Sequence, residues 1–118
     1  MESVDGRTLF FKRGDGDSPL VALTIAGGAE RAVAACVLAW PGNFDVVESG
    51  VYYPDCRAGD PVLHRLDPAS GRDEVLGTLE KWERFSTGTI AVSPDGRTIL
   101  YPKAVREGSD LMLIENFR

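Results

Sequence analysis

The stretch AVSPDGRTILY, residues 91–101, decides how this chain is read, because a shorter form of it, SVDGRTLFF, stands at residues 3–11. Ser-x-Asp-Gly-Arg-Thr followed by apolar and aromatic residues is the pattern of a tight turn that opens a strand. Pro94 presets a backbone dihedral for a turn, Asp95 hydrogen-bonds locally, and Gly96 supplies a positive φ. The motif reads as a good hairpin turn and carries no chemistry of its own.

Sliding the sequence on itself by 42 residues lays 8–26 on 50–68, and a further 48 lays it on 98–116, without gaps. Leu9, Val51 and Ile99 coincide, as do Phe10, Tyr52 and Leu100, and Phe11, Tyr53 and Tyr101. Further along, Val21 meets Leu63 and Leu111, Leu23 meets Arg65 and Leu113, and His64 takes Ala22 and Met112 as its partners. The spacing averages about 45 residues, within the range of propeller blades.

Each unit is made of strands. TLFFKR, GVYYPD and TILYPK are followed by LVALTI, VLHRLD and LMLIEN, with Gly-, Asp- and Pro-rich turns between them. FDVVES (44–49) and TIAVS (89–93) precede the first of these strands, while AERAVAA (29–35) and RDEVLGTL (72–79) follow the second. Several strands are apolar on both faces, which implies sheets covered on both sides. The expected fold is all-β, a partial β-propeller of two and a half to three four-stranded antiparallel blades with about ten strands. The expected spans are 1–43, lacking its first strand, 44–88, and 89–118, lacking its last, all within a single fragment.

Composition narrows the function classes. A net charge of −5, with no basic run longer than Lys12-Arg13, argues against a nucleic-acid surface. The opening residues lack a signal-peptide pattern, and no apolar run is long enough for a membrane span. Cys36 and Cys56 make no disulfide framework and no metal spacing; two buried or idle thiols are expected rather than a bridge, with the cytoplasm as the default compartment.

The residues with chemical potential each have a plainer reading. His64 is the one histidine, so any Ser-His-Asp triad would need it; its strand position favours a packed or edge histidine. No Gly-x-Ser-x-Gly elbow occurs. RGDGDSP (13–19), with Asp15 and Asp17, suggests a calcium loop or an integrin-type tripeptide, yet it falls where a hairpin turn belongs. Trp40 and Trp82 precede the first strand of a unit and are expected to pack between units rather than line a ligand rim. Asp45, Glu48, Glu80 and Glu83 read as solvated surface, with an acidic rim as the alternative. Catalytic, cofactor-binding and metal-binding residues are therefore expected to be none, and ligand-binding residues are unassigned.

IAVSPDGRTILY, with LHRLDPASGRDEVLG before it and SDLMLIENFR after it, resembles TolB-like β-propeller repeats of the WD40-like PD40 type. The closing residues resemble the carboxyl end of large bacterial propeller proteins of an acidobacterial type, which implies that Arg118 is a natural end. In those proteins a propeller follows a winged-helix or kinase domain. The resemblance implies a non-catalytic binding or scaffold module for proteins or small ligands, completed by self-association into a homo-oligomer. The alternative is the propeller part of a larger peptidase, kinase or regulator, periplasmic if a longer parent carries a signal.

Overall fold

In the computed structural model, residues 1–13, 17–38, 43–57, 59–82, 90–105 and 108–115 are described, with side chains as far as Tyr101. Among the described residues ten strands form: β1 (Thr8–Lys12), β2 (Ser18–Thr24), β3 (Glu30–Val37), β4 (Asp45–Val47), β5 (Gly50–Pro54), β6 (Val62–Asp67), β7 (Arg72–Thr78), β8 (Ala91–Val92), β9 (Thr98–Val105) and β10 (Gly108–Glu115). They make three antiparallel sheets in sequence order, β1-β2-β3, β4-β5-β6-β7 and β8-β9-β10, and none is closed on itself. The described residues contain no helix, and hence none long and apolar enough to cross a membrane.

The two copies of the opening motif fold alike. Ser3 Oγ donates to Asp5 Oδ1 at 2.6 Å, and the Arg7 and Thr8 amides donate to Asp5 Oδ1 and Ser3 Oγ at 3.0 and 3.1 Å. Ser93, Asp95, Arg97 and Thr98 repeat the three bonds at 2.6, 3.0 and 3.1 Å. Gly6 and Gly96 both adopt φ 71°, the left-handed value that a side chain would oppose. The hydroxyl and amide bonds hold both aspartates below the usual carboxylate range. Ahead of the first turn, Glu2 bridges Leu9, and Met1 and Phe10 exchange backbone bonds. This is an isolated bridge and adds no strand to the three of the first sheet.

The sheets stack face to face. One core joins the first and second sheets through Phe10, Leu20, Ala22, Ala34, Val37, Phe44, Val51, Tyr53 and Leu66. A second joins the second and third through Tyr52, Leu63, Leu79, Trp82, Ile90, Val92, Ile99 and Tyr101, with Leu38. Every residue of β5 is buried, since alternate side chains go to opposite cores and each core has a sheet on its far side. Asp45 draws β4 and β8 together: its Oδ2 accepts the Val92 amide at 2.8 Å and its Oδ1 the Val46 amide at 2.9 Å.

The gapless repeat needs one correction. Seven residues separate the register partners Lys12 and Leu20, but eight separate Pro54 from Leu63 and Pro102 from Leu111. From the second strand of the unit onward, the first repeat is thus displaced by one residue. Leu20, not Val21, matches Leu63 and Leu111, and His64 matches Val21 and Met112 rather than Ala22. A single residue matters because it moves a side chain to the other face of the sheet. With the correction, β-bulges coincide as well: the register shifts between Leu20 and Val21 and between Leu63 and His64. Val33 and Leu76, the extra residues inside these bulges, pack on the first and second core respectively.

Candidate functional site

A polar cluster lies where the first sheet meets the second. Val37 bridges Asp55, and the Leu38 amide donates to the Pro54 carbonyl at 3.1 Å, so the end of β3 runs antiparallel to the end of β5. Counting back from Val37 and forward from Asp55 sets Cys36 opposite Cys56. Their Cα atoms are 5.7 Å apart and a disulfide joins them, at a separation suited to such a bond. The two-thiol expectation is corrected here. No spacing rule could show the bridge, because it depends on contact between two sheets.

Asp55 is the hub. Its carboxylate accepts the Val62 amide at 3.1 Å, closing the β5–β6 loop, and two bonds from Arg57 Nε at 3.0 and 2.9 Å. His64 Nε2 lies 2.9 Å from Asp55 Oδ2, and Nδ1 lies 2.9 Å from Asp73 Oδ1. The ring stacks on Tyr53, its cross-strand partner, with centroids 4.8 Å apart and planes within 7°. The Tyr53 hydroxyl donates to the second oxygen of Asp73. Burial and the Asp73 carboxylate push this phenol upward, since ionising it would place a second negative charge there.

An imidazole facing two carboxylates donates to both only as the imidazolium; neutral, it donates to one. Either way both ring nitrogens point at carboxylates, whereas a triad histidine turns one of its nitrogens to a hydroxyl or thiol. His64 is a packed histidine cross-linking a loop to an edge strand. Around it, Ala35, Cys36, Tyr53, Asp55, Cys56, Arg57, His64 and Asp73 line an open cleft of about 480 Å³. A second cleft, of about 430 Å³, opens at the other end of the same sheet junction, lined by Ser3, Asp5, Glu48, Ser49, Asp67 and neighbours.

No known protein family, curated protein or solved structure matches this chain.

The remaining sequence candidates scatter. Trp82 is core: it stacks on Tyr101 with centroids 6.0 Å apart, and Asp60 holds it in place by accepting the Lys81 and Trp82 amides at 3.1 and 3.2 Å. Asp45 is bonded between strands rather than displayed on a rim. Glu48 and Glu80 are exposed, the latter offering its carbonyl to the Tyr101 hydroxyl at 3.1 Å. Asp17 is exposed ahead of β2, while Asp15, Trp40 and Glu83 lie outside the described residues. Among the described residues no group of three or more His, Cys, Asp or Glu side chains is placed to hold a metal ion.

Sequence reasoning passed over Tyr53, Asp55, Arg57 and Asp73. One signal was present: the position that closes TLFFKR, GVYYPD and TILYPK is basic in the outer repeats, Arg13 and Lys103, and acidic only at Asp55.

Asp55 gives a measurable acid sensitivity. Burial alone would raise its pKa, but bonds from Arg57, His64 and the Val62 amide outweigh this and hold it at about 2, against the ordinary 3.8. A carboxyl depressed on folding stabilises above its unfolded pKa and loses that contribution as pH falls through the folded one. The window is therefore pH 4 to 2. After allowance for water screening, about 1–2 kcal/mol is at stake. Urea unfolding at pH 5 and pH 2.5 should show the advantage of the native chain over Asp55→Asn shrinking across this window. Parallel pH profiles for the two proteins would remove Asp55 from the account.

Proposed function

We propose that the chain is part of a β-propeller serving as a non-catalytic binding or scaffold module. The observation that carries this reading is the equivalence of the three sheets. Phe10 fills the core between the first and second sheets, and Tyr52, its repeat partner, fills the core between the second and third. The Ser-x-Asp-Gly turn recurs in the first and third sheets and the β-bulge in the first and second, as such features do in radially repeated sheets. The engagement of both His64 ring nitrogens by carboxylates supports a binding role. So do the two clefts at the sheet junction, each lined by strand residues together with a turn or loop, since loops on a rigid scaffold carry recognition.

The same equivalence supports a reading of what the outermost faces accept. In the second sheet, Val51, Tyr53 and Leu66 pack against the first sheet. Their counterparts Leu9, Phe11 and Leu23 lie on the opposite face of the first sheet, half-buried and in neither described core. At the other end Leu100, the counterpart of Tyr52, is also half-buried. Each face is built to take one more sheet of this repeat, and a second copy supplies it, stacking third sheet on first.

Light scattering behind a sizing column, combined with turnover measurements on the same samples, tests both parts. The expected result is a closed homo-oligomer that hydrolyses no ester, peptide or phosphoester substrate, with His64→Ala behaving identically. A monomer at all concentrations would overturn the stacking. Turnover that disappears in His64→Ala would overturn the non-catalytic role.

A further inference from the structure

We infer that the Cys36–Cys56 disulfide is an exchange site for a small anionic thiol, opened and closed in the folded chain rather than serving as a buried staple. Three observations carry this. Both cysteines line the open cleft of about 480 Å³, and both are partly exposed. Neither belongs to a hydrophobic core, so opening the bond leaves the packing of the sheets in place. The backbone brings the sulfurs together without the bond's help, since the Val37–Asp55 bridge and the Leu38-to-Pro54 hydrogen bond hold the two segments side by side. A dithiol formed there keeps its partners opposed, so closing it again requires no search.

The cleft also specifies the class of thiol. Arg57 follows Cys56 in sequence, lines the same cleft, and keeps its side chain 53% exposed while bonded to Asp55. Asp55 and Asp73 lie on the same wall, but His64, Arg57 and Tyr53 engage them. A guanidinium at the mouth favours an incoming thiol that bears carboxylates, and it favours Cys56 as the departing thiolate.

The exchange balances in two steps. The incoming thiolate attacks Cys36 Sγ, the protein S–S bond breaks, and Cys56 leaves as a thiolate that takes a proton from water. A second thiolate then attacks the mixed disulfide, releases the small disulfide, and leaves Cys36 reduced. Cys36 departs as a thiolate and takes the second proton, so the protein gains two electrons and two protons that the two small thiols lose; the same steps in reverse, with the small disulfide as oxidant, close the bond.

Reduced glutathione is the anionic probe and 2-mercaptoethanol the neutral one, both applied without denaturant, with maleimide trapping and mass analysis. The expected result is ready opening by glutathione, a transient single adduct mapping to Cys36, and unchanged circular dichroism. Arg57→Gln should slow the glutathione reaction several-fold and leave the 2-mercaptoethanol reaction alone. A bond that resists both thiols until urea is added would overturn the proposal, as would opening that unfolds the chain. Equal slowing of both thiols in Arg57→Gln, or an adduct on Cys56, would overturn the role given to the guanidinium.

Discussion

Tyr52→Ala is expected to cost this chain about 3–5 kcal/mol, a large share of what a domain of this size has to lose. The ring is fully buried between the second and third sheets, and its hydroxyl lies 2.8 Å from Ser49 Oγ. Truncation removes the apolar area and leaves a void flanked by Leu63 and Ile99, which sit in separate sheets and cannot both move in to fill it. Tyr52→Phe, which keeps the ring and removes the hydroxyl with its bonds to Ser49 and Arg65, should cost about 1–2 kcal/mol. The repeat supplies two comparisons. Phe10→Ala should resemble Tyr52→Ala, because Phe10 is equally enclosed at the other junction. Leu100→Ala, at the same repeat position but half-buried, should cost about 1 kcal/mol when copies are kept apart by dilution. Equal losses at Tyr52 and Leu100 in dilute urea titrations would mean that the second sheet is not sandwiched as described.

These three residues also mark how far sequence alone could reach. The strands, their order and the turns were legible because each rests on local chemistry. The Ser-x-Asp-Gly motif specifies its own hydrogen bonds at Ser3 and Ser93, and β5 announces two-sided burial by being apolar throughout. The face of each strand was less legible. The first hairpin is one residue shorter than the other two, and a turn segment such as RGDGDSP looks equally acceptable at either length. Contacts between sheets were the least legible. Cys36 meets Cys56, and His64 meets Asp55 and Asp73, because a strand end of the first sheet runs beside a strand end of the second. Neither the period nor the propensity of a segment encodes that approach. Asp55 stood out only as a break in a basic position.

Gly50→Ala probes the same central sheet through its backbone and should be nearly as damaging, at about 3 kcal/mol. Gly50 ends the turn from β4 and begins β5 at φ 145°, a region that side chains rarely enter. A Cβ there would lie 2.7 Å from the Leu66 carbonyl oxygen and 3.1 Å from Arg65 Cγ. The arginine stem can shift, but the carbonyl belongs to the β5–β6 ladder and cannot withdraw without loosening the pairing of Val51 with Leu66. The cost thus combines the conformational penalty with lost ladder geometry. Gly71→Ala separates the two contributions. It has φ 77° in the turn between β6 and β7, and a Cβ there would meet nothing within 4 Å. It should carry only the conformational penalty, about 1–2 kcal/mol. If thermal and urea unfolding give the same loss for both variants, the close approach at Gly50 contributes nothing. A loss at Gly50 about twice that at Gly71 would place the difference in the contact with Leu66, the residue through which the second sheet packs on the first.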